Sequence, residues 1–224
     1  MVDSAHIHIP ASVSLTAETY ARGLRFLSAR DMDLAQVLET LGPPPLRVAE
    51  PGFPTLVRII IEQQVALAAA RATYDRLLAA ASPLTPERFL VLDEAAFRLT
   101  GLSRQKAAYC RGLALAIVEG ELDLVALGEK DDETVKSELI QLKGVGPWTA
   151  DIYLLSALGR PDIWPSRDLA LATAAQRLKR LATRPGPEEL EEIGAQWRPW
   201  RTVAAHLLWH HYRNTGKDGI TRLR

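Results

Sequence analysis

The chain has 224 residues, 47% of them hydrophobic and 24% charged, with 27 basic side chains balancing 27 acidic ones. That is ordinary globular composition, long enough for one large domain or two small lobes. No apolar run reaches the roughly 18 residues a membrane span needs, "MVDSAHIHIPASVS" lacks the basic-then-apolar order of a signal peptide, and the lone Cys110 excludes a disulfide framework or any four-cysteine zinc or iron–sulfur site.

In chain order nearly every periodic stretch reads as a helix. "TAETYARGLRFLSA" starts behind Ser14 and Thr16 as candidate caps, and "LAQVLETLG" stops on Gly42 ahead of three prolines. "FPTLVRIIIEQQ" and "ALAAARATYDRLLAAA" are strongly apolar with helical spacing, while "SPLTPERFLVL" carries two turn prolines. "DEAAFRLTG" is a short helix closed by Gly101, and "SRQKAAYCRGLALAIVEG" runs from a Ser103 cap to Gly120. "DDETVKSELIQL" and "PWTADIYLLSAL" flank a glycine corner, and beyond them lie "RDLALATAAQRLKRLA", "GPEELEEIGAQ" and "WRPWRTVAAHLLWHHYR". Alternation suited to a strand is confined to "HIHIPASVSL". The expectation is an all-α fold of roughly ten helices with short connections.

Charge balances overall because acidic and basic segments are segregated. Glu119–Glu138 holds eight acids against two lysines, a net of −6. Gln141–Arg184 holds seven basic residues against three acids, a net of +4, and Trp197–Arg224 six against one, a net of +5. A local basic face is therefore compatible with a neutral chain.

The corner "QLKGVGPWTAD" interrupts a helical run with Gly144-Val145-Gly146 and restarts it with Pro147. Proline at the first helical position wastes no hydrogen bond, and Gly144 allows a left-handed reversal. The bare backbone from Gly144 through Val145, Gly146 and on to Thr149 lies at a helix N-terminus, where N–H groups and the dipole favour an anion. The Thr149 hydroxyl adds a donor. On these residues alone, a plain αα-corner and a phosphate cradle both fit.

The residues on either side of the corner narrow the choice. "LIQLKGVGPWTADIYLLSALGRPDIWPSRDLAL" resembles the helix-hairpin-helix (HhH-GPD) DNA glycosylase superfamily, with its hairpin, Gly/Pro loop and aspartate. "IIIEQQVALAAA", "GLSRQKAAYCRGLA" and "WRPWRTVAAHLLW" resemble the DNA-3-methyladenine glycosylase II branch. The resemblance covers about residues 50 to 215 in the expected order, with a shorter N-terminus than the better-known bacterial members. It implies two helical lobes with an active-site cleft between them and a β-subdomain that is reduced or absent. We divide the chain into an extension over 1–45 packing on the core, a glycosylase core over 46–215, and a tail over 216–224. The resemblance also implies an intracellular, cytoplasmic monomer, nucleoid-associated in a bacterium, acting on double-stranded DNA that contains alkylated bases.

Asp168 stands 22 residues after Gly146, across one helix and the loop "GRPDIWPSR". Read alone it is a helix N-cap. The resemblance makes it the catalytic aspartate, although the acidic residue the family usually carries just before it is Arg167 here. A 3- or 7-alkylated purine is cationic and leaves readily. One ionised carboxylate then suffices to stabilise an oxocarbenium-like sugar and orient water. Lyase relatives carry a lysine two positions after the second hairpin glycine; that place is Trp148, and Lys143 does not match it. The resemblance thus implies a monofunctional hydrolase with no metal or other cofactor, leaving room for a monovalent cation on the hairpin carbonyls.

A flipped cationic base needs aromatic faces. By resemblance, Trp209 is the first pocket candidate and Trp148 the second, while Trp197 and Trp200 read as packing and Trp164 is undecided. Gln64 falls at the place of the intercalating wedge with Gln63 beside it, although both also suit a plain helix junction. Arg104 and Lys106 organise a helix start or touch phosphate. His206, His210 and His211 share a helix without the partners a metal needs. A non-catalytic DNA-binding module would need neither Asp168 nor an aromatic pocket, and a helical interaction scaffold would show repeats that are absent.

Overall fold

A computed structural model describes residues 14–215. Those residues form thirteen helices and no strand. They are α1 (Ala17–Ser28), α2 (Met32–Leu41), α3 (Phe53–Glu62), α4 (Leu67–Ala80), α5 (Pro86–Leu90), α6 (Glu94–Thr100) and α7 (Arg104–Val118). The remainder are α8 (Leu124–Gly128), α9 (Asp132–Leu139), α10 (Pro147–Ser156), α11 (Leu169–Leu178), α12 (Pro187–Ala195) and α13 (Arg201–Thr215). The count exceeds the roughly ten expected, since single-turn helices such as α5 and α8 are too short for a periodic signal. The alternating "HIHIP" segment lies outside the described residues.

Local chemistry sets most boundaries. Thr16, not Ser14, caps α1, in a box where its hydroxyl and that of Thr19 serve each other's backbone N–H. Asp31, Asp93, Ser103, Asp123, Asp131 and Asp168 accept first-turn N–H groups of α2, α6, α7, α8, α9 and α11. Gly101 ends α6 in a left-handed conformation at φ +76°.

The chain divides into two compact units. One is Val48–Leu158; the other combines the described residues up to Arg47 with those from Gly159 onward. In the first, α3 is the core: Leu56, Val57, Ile59, Ile60 and Ile61 are all 2% exposed or less. It packs against α4, α7 and α10, while Arg58 and Glu62 pair at 3.1 Å on its remaining, partly exposed side. Each such side chain contributes roughly 2 kcal/mol on burial.

In the second unit α13 is central, packed by α1, α2, α11 and α12. Ala174, Ala175, Ala204 and Ala205 are fully buried, and Gly23 lies so near α13 that a Cβ would meet Val203 at 2.8 Å and Trp200 at 2.9 Å. Small residues here permit close helix approach. Asp31 is buried and accepts Lys179 Nζ at 2.7 Å and Trp197 Nε1 at 2.8 Å, joining the starts and ends of distant elements. Burial acts to raise its carboxyl, but hydrogen bonds from Lys179 and Trp197 outweigh it and hold it below the ordinary aspartate value. No helix among the described residues is long and apolar enough to cross a membrane.

Candidate active site and hairpin

In the Val48–Leu158 unit, α9 ends at Leu139 and the chain turns over Gln141–Gly146 into α10. Val145 N donates to Leu142 O at 3.0 Å, closing the bend. Gly144 adopts φ +91°, and a Cβ there would clash with Tyr109, 2.2 Å from its Cγ and 2.3 Å from its Cδ2. Both facts require glycine. Gly146 differs. Its φ of −98° and ψ of 177° suit any residue, and a Cβ would meet nothing within 4 Å. A side chain is therefore excluded at 144 and sterically free at 146. Gly146 caps α10 with no side-chain hydrogen bond, and Pro147 is the first helical residue.

Thr149 is buried, and its Oγ1 accepts Gln63 Nε2 at 2.8 Å. As the third residue of α10 it turns inward toward the end of α3, so its hydroxyl oxygen is engaged by Gln63. Gln63 Nε2 also donates to Gly144 O at 2.9 Å. The two glutamines read together as a wedge therefore part: Gln63 is engaged by the hairpin, while Gln64 is exposed in a left-handed conformation at φ +55°. Val65 and Leu67 beside it are also exposed, by 46% and 65%. Lys106 Nζ donates to Ile61 O and Gln63 O at the C-terminal end of α3. Leu142 O and Gly144 O each already accept a hydrogen bond, so both carbonyls are engaged in holding the turn itself. Trp148 is half-buried on the first turn of α10.

In the other unit, the return loop is pinned at its base. Thr202 Oγ1 donates to Arg160 O at 2.6 Å and accepts Ile163 N at 3.0 Å. Arg201 binds Asp162 Oδ1 at 3.0 Å, the Asp162 carbonyl at 2.6 Å and Glu191 Oε1 at 3.0 Å. Ser166 N then donates to Trp164 O and Asp168 N to Pro165 O, a tight turn that delivers Asp168 to the start of α11. Sequence inspection missed Arg201, Asp162 and Thr202, whose pairings span about forty residues.

Asp168 is half-buried, and its Oδ1 accepts Leu171 N at 2.7 Å and Trp209 Nε1 at 3.2 Å. Both N-cap and aromatic neighbour are therefore realised in one carboxylate. The Trp209 ring lies 6.1 Å from that of His206, which lies 5.7 Å from Tyr20. His206 Nδ1 is buried without a hydrogen-bond partner, and burial pushes the imidazole down to about 4. Trp164, Trp197 and Trp200 are core: Trp164 Nε1 donates to Leu190 O at 2.8 Å, and its ring meets Trp197 edge-on at 5.2 Å. Arg167 is exposed.

Comparison with known proteins bears on this arrangement. Residues 57–199 match the model of the HhH-GPD superfamily base excision DNA repair protein. The Bacillus subtilis protein YfjP is 29% identical over 79% of this chain, and the chain spans 64% of that relative's length. The Schizosaccharomyces pombe 3-methyladenine DNA glycosylase Mag1, solved in complex with abasic DNA, superposes with a TM-score of 0.81 at 25% identity. That alignment covers 90% of this chain and all of the solved one. A Bacillus halodurans DNA-3-methyladenine glycosidase aligns over 88% of this chain and 91% of its own, with a TM-score of 0.74 and 30% identity.

Proposed function

The chain belongs to the HhH-GPD superfamily of base excision DNA repair proteins, and we propose that it excises alkylated purines from duplex DNA by hydrolysing the N-glycosidic bond. The observation that carries this is the carboxylate of Asp168, oriented by the Leu171 amide and the Trp209 indole. A base flipped from the stack meets the ring of Trp209, and N3- or N7-methylation makes that base a cation attracted to an electron-rich face. Cleavage of the C1′–N bond sends the bonding electrons to the purine, which leaves neutral. Asp168 stabilises the positive sugar that remains and orients the water whose oxygen bonds to C1′, with the water's proton released to solvent.

The hairpin supplies the backbone grip. Gly146 is demanded neither by its φ nor by a neighbouring atom, so a ligand approaching the bare backbone at the start of α10 gives its absent side chain a purpose. Gln64, exposed on the α3–α4 turn, fills the space left by the flipped base. Trp148, at the place where lyase relatives carry lysine, supports hydrolysis without strand cleavage. The protein acts as a monomer on double-stranded DNA.

The experiment is base release from methylated duplex DNA, resolved by base, alongside strand integrity on a denaturing gel. Released methylpurine with an intact abasic strand supports the proposal. No release from any methylated duplex would favour a DNA-binding module without chemistry.

A further inference from the structure

One carboxamide closes the hairpin from behind. The two acceptors of Gln63 Nε2 lie on opposite sides of the turn: Gly144 O in its left-handed bend, and Thr149 Oγ1 in the first turn of α10. A carbonyl oxygen only accepts, so it must face the amide nitrogen, whose two hydrogens are thereby both used. The backbone of Gln63 is itself fixed. Lys106 Nζ donates to Ile61 O at 2.7 Å and Gln63 O at 2.6 Å, supplying the C-terminal carbonyls of α3 with a cation. Tyr109, one turn further along α7 than Lys106, fills the space beneath Gly144. Helix α7 thus supports the hairpin directly through Tyr109 and indirectly through Gln63.

We propose that Gln63 is a positioning residue that holds the hairpin in its phosphate-binding shape. Its carboxamide fixes the separation of Gly144 and Thr149, so the backbone N–H groups at the start of α10 are arranged before DNA arrives. Ordering that would otherwise be charged against binding is completed on folding. The role rests on the proposed hairpin–phosphate contact and deepens it. It also removes Gln63 from the wedge and leaves Gln64 as the side chain presented by that turn.

The test is a double-mutant cycle on the affinity for an undamaged duplex at fixed salt, read by fluorescence anisotropy. Gln63→Leu should weaken binding about tenfold and Thr149→Val about threefold, with the double variant no weaker than about the Gln63→Leu protein. Thr149→Ser keeps the oxygen and should bind like wild type. Single-turnover release from a 7-methylguanine duplex at saturating protein should change by less than about threefold in each variant, since a positioning residue for the hairpin acts on binding. If Gln63→Leu fails to fold, Gln63→Glu replaces it in the cycle, because its carboxylate cannot donate to Gly144 O. Losses that simply add, as a direct contact between Gln63 and DNA would give, overturn the proposal. So does wild-type affinity in the Gln63 variant. A wild-type protein that released no methylated base would sink the proposed glycosylase function, while the binding cycle still decides on Gln63.

Discussion

Trp209 Nε1 donates to Asp168 Oδ1 at 3.2 Å across 41 residues of sequence, and the same oxygen caps α11 through Leu171 N at 2.7 Å. One carboxylate oxygen therefore serves the fold and lies beside the aromatic face proposed to receive the base. Asp168→Asn retains an oxygen acceptor for both donors and removes the charge. We expect single-turnover base release to fall about a hundredfold or more, from loss of electrostatic stabilisation in the transition state. Duplex affinity should stay or rise, because one negative charge near phosphate is gone. Equal release by variant and wild type would remove Asp168 from the chemistry.

Trp209→Phe separates the ring from its N–H. The phenyl face remains for stacking while Asp168 loses a donor that helps orient it. Base release should fall about tenfold, the cost of an unmade hydrogen bond at a half-buried carboxylate, with duplex binding little changed. A pre-steady-state comparison of the two proteins checks this.

The two hairpin glycines should respond oppositely to alanine. Gly144→Ala meets a φ of +91° and the Tyr109 ring together, so thermal unfolding should reveal a loss of about 1–3 kcal/mol. Gly146→Ala enters open space on an extended backbone. Its stability should hold or rise by about 0.5 kcal/mol as the unfolded chain loses freedom. Binding to damaged and undamaged duplex should nonetheless weaken together in Gly146→Ala, with the set of bases released unchanged. A shift in base choice at unchanged affinity would instead put Gly146 in the base pocket.

His206 makes stability depend on pH. Burial against Tyr20 and Trp209 pushes its imidazole from 6.5 to about 4, with Arg213 adding to the shift. The unfolded chain therefore takes up a proton below about pH 6.5 that the folded chain refuses until near pH 4. Stability is fully present above pH 6.5 and is lost as pH falls through that window. Urea unfolding at about pH 7.5 and about pH 5 should show about 2 kcal/mol of this loss in wild type and its absence in His206→Phe. An identical pH dependence in both proteins would show that another group carries it.

Asp31 ties α2 to Lys179 at the end of α11 and to Trp197. Asp31→Ala leaves a half-buried ammonium and a buried indole N–H without that acceptor. We expect a loss of roughly 3 kcal/mol in urea denaturation, typical when one partner of a buried pair is removed. Because the intact carboxyl is held below its ordinary value, this contribution is present at neutral pH and disappears in acid. A loss within about 0.5 kcal/mol, as at an ordinary surface position, would show that the network does not hold these elements together.

Helix caps and glycine stops were legible in the amino-acid order because they act within four residues. Thr16, Ser103 and Asp168 each satisfy a donor three positions on, and Gly101 and Gly144 take backbone angles that few other residues tolerate. The all-helical fold and the family resemblance came from such local signals strung in order. Tertiary structure decided which side chains share an oxygen or a nitrogen: Asp168 with Trp209, Gln63 with Thr149 at 86 residues' remove, Asp31 with Lys179 at 148. It joined Thr149 and Gln63 in the hairpin's own hydrogen bonds and put the positive φ at Gly144, leaving Gly146 on extended backbone. Spacing along a helix fixes which face a residue occupies. Whether that face meets water, phosphate or another helix depends on packing between elements far apart in the chain, and no local pattern encodes that.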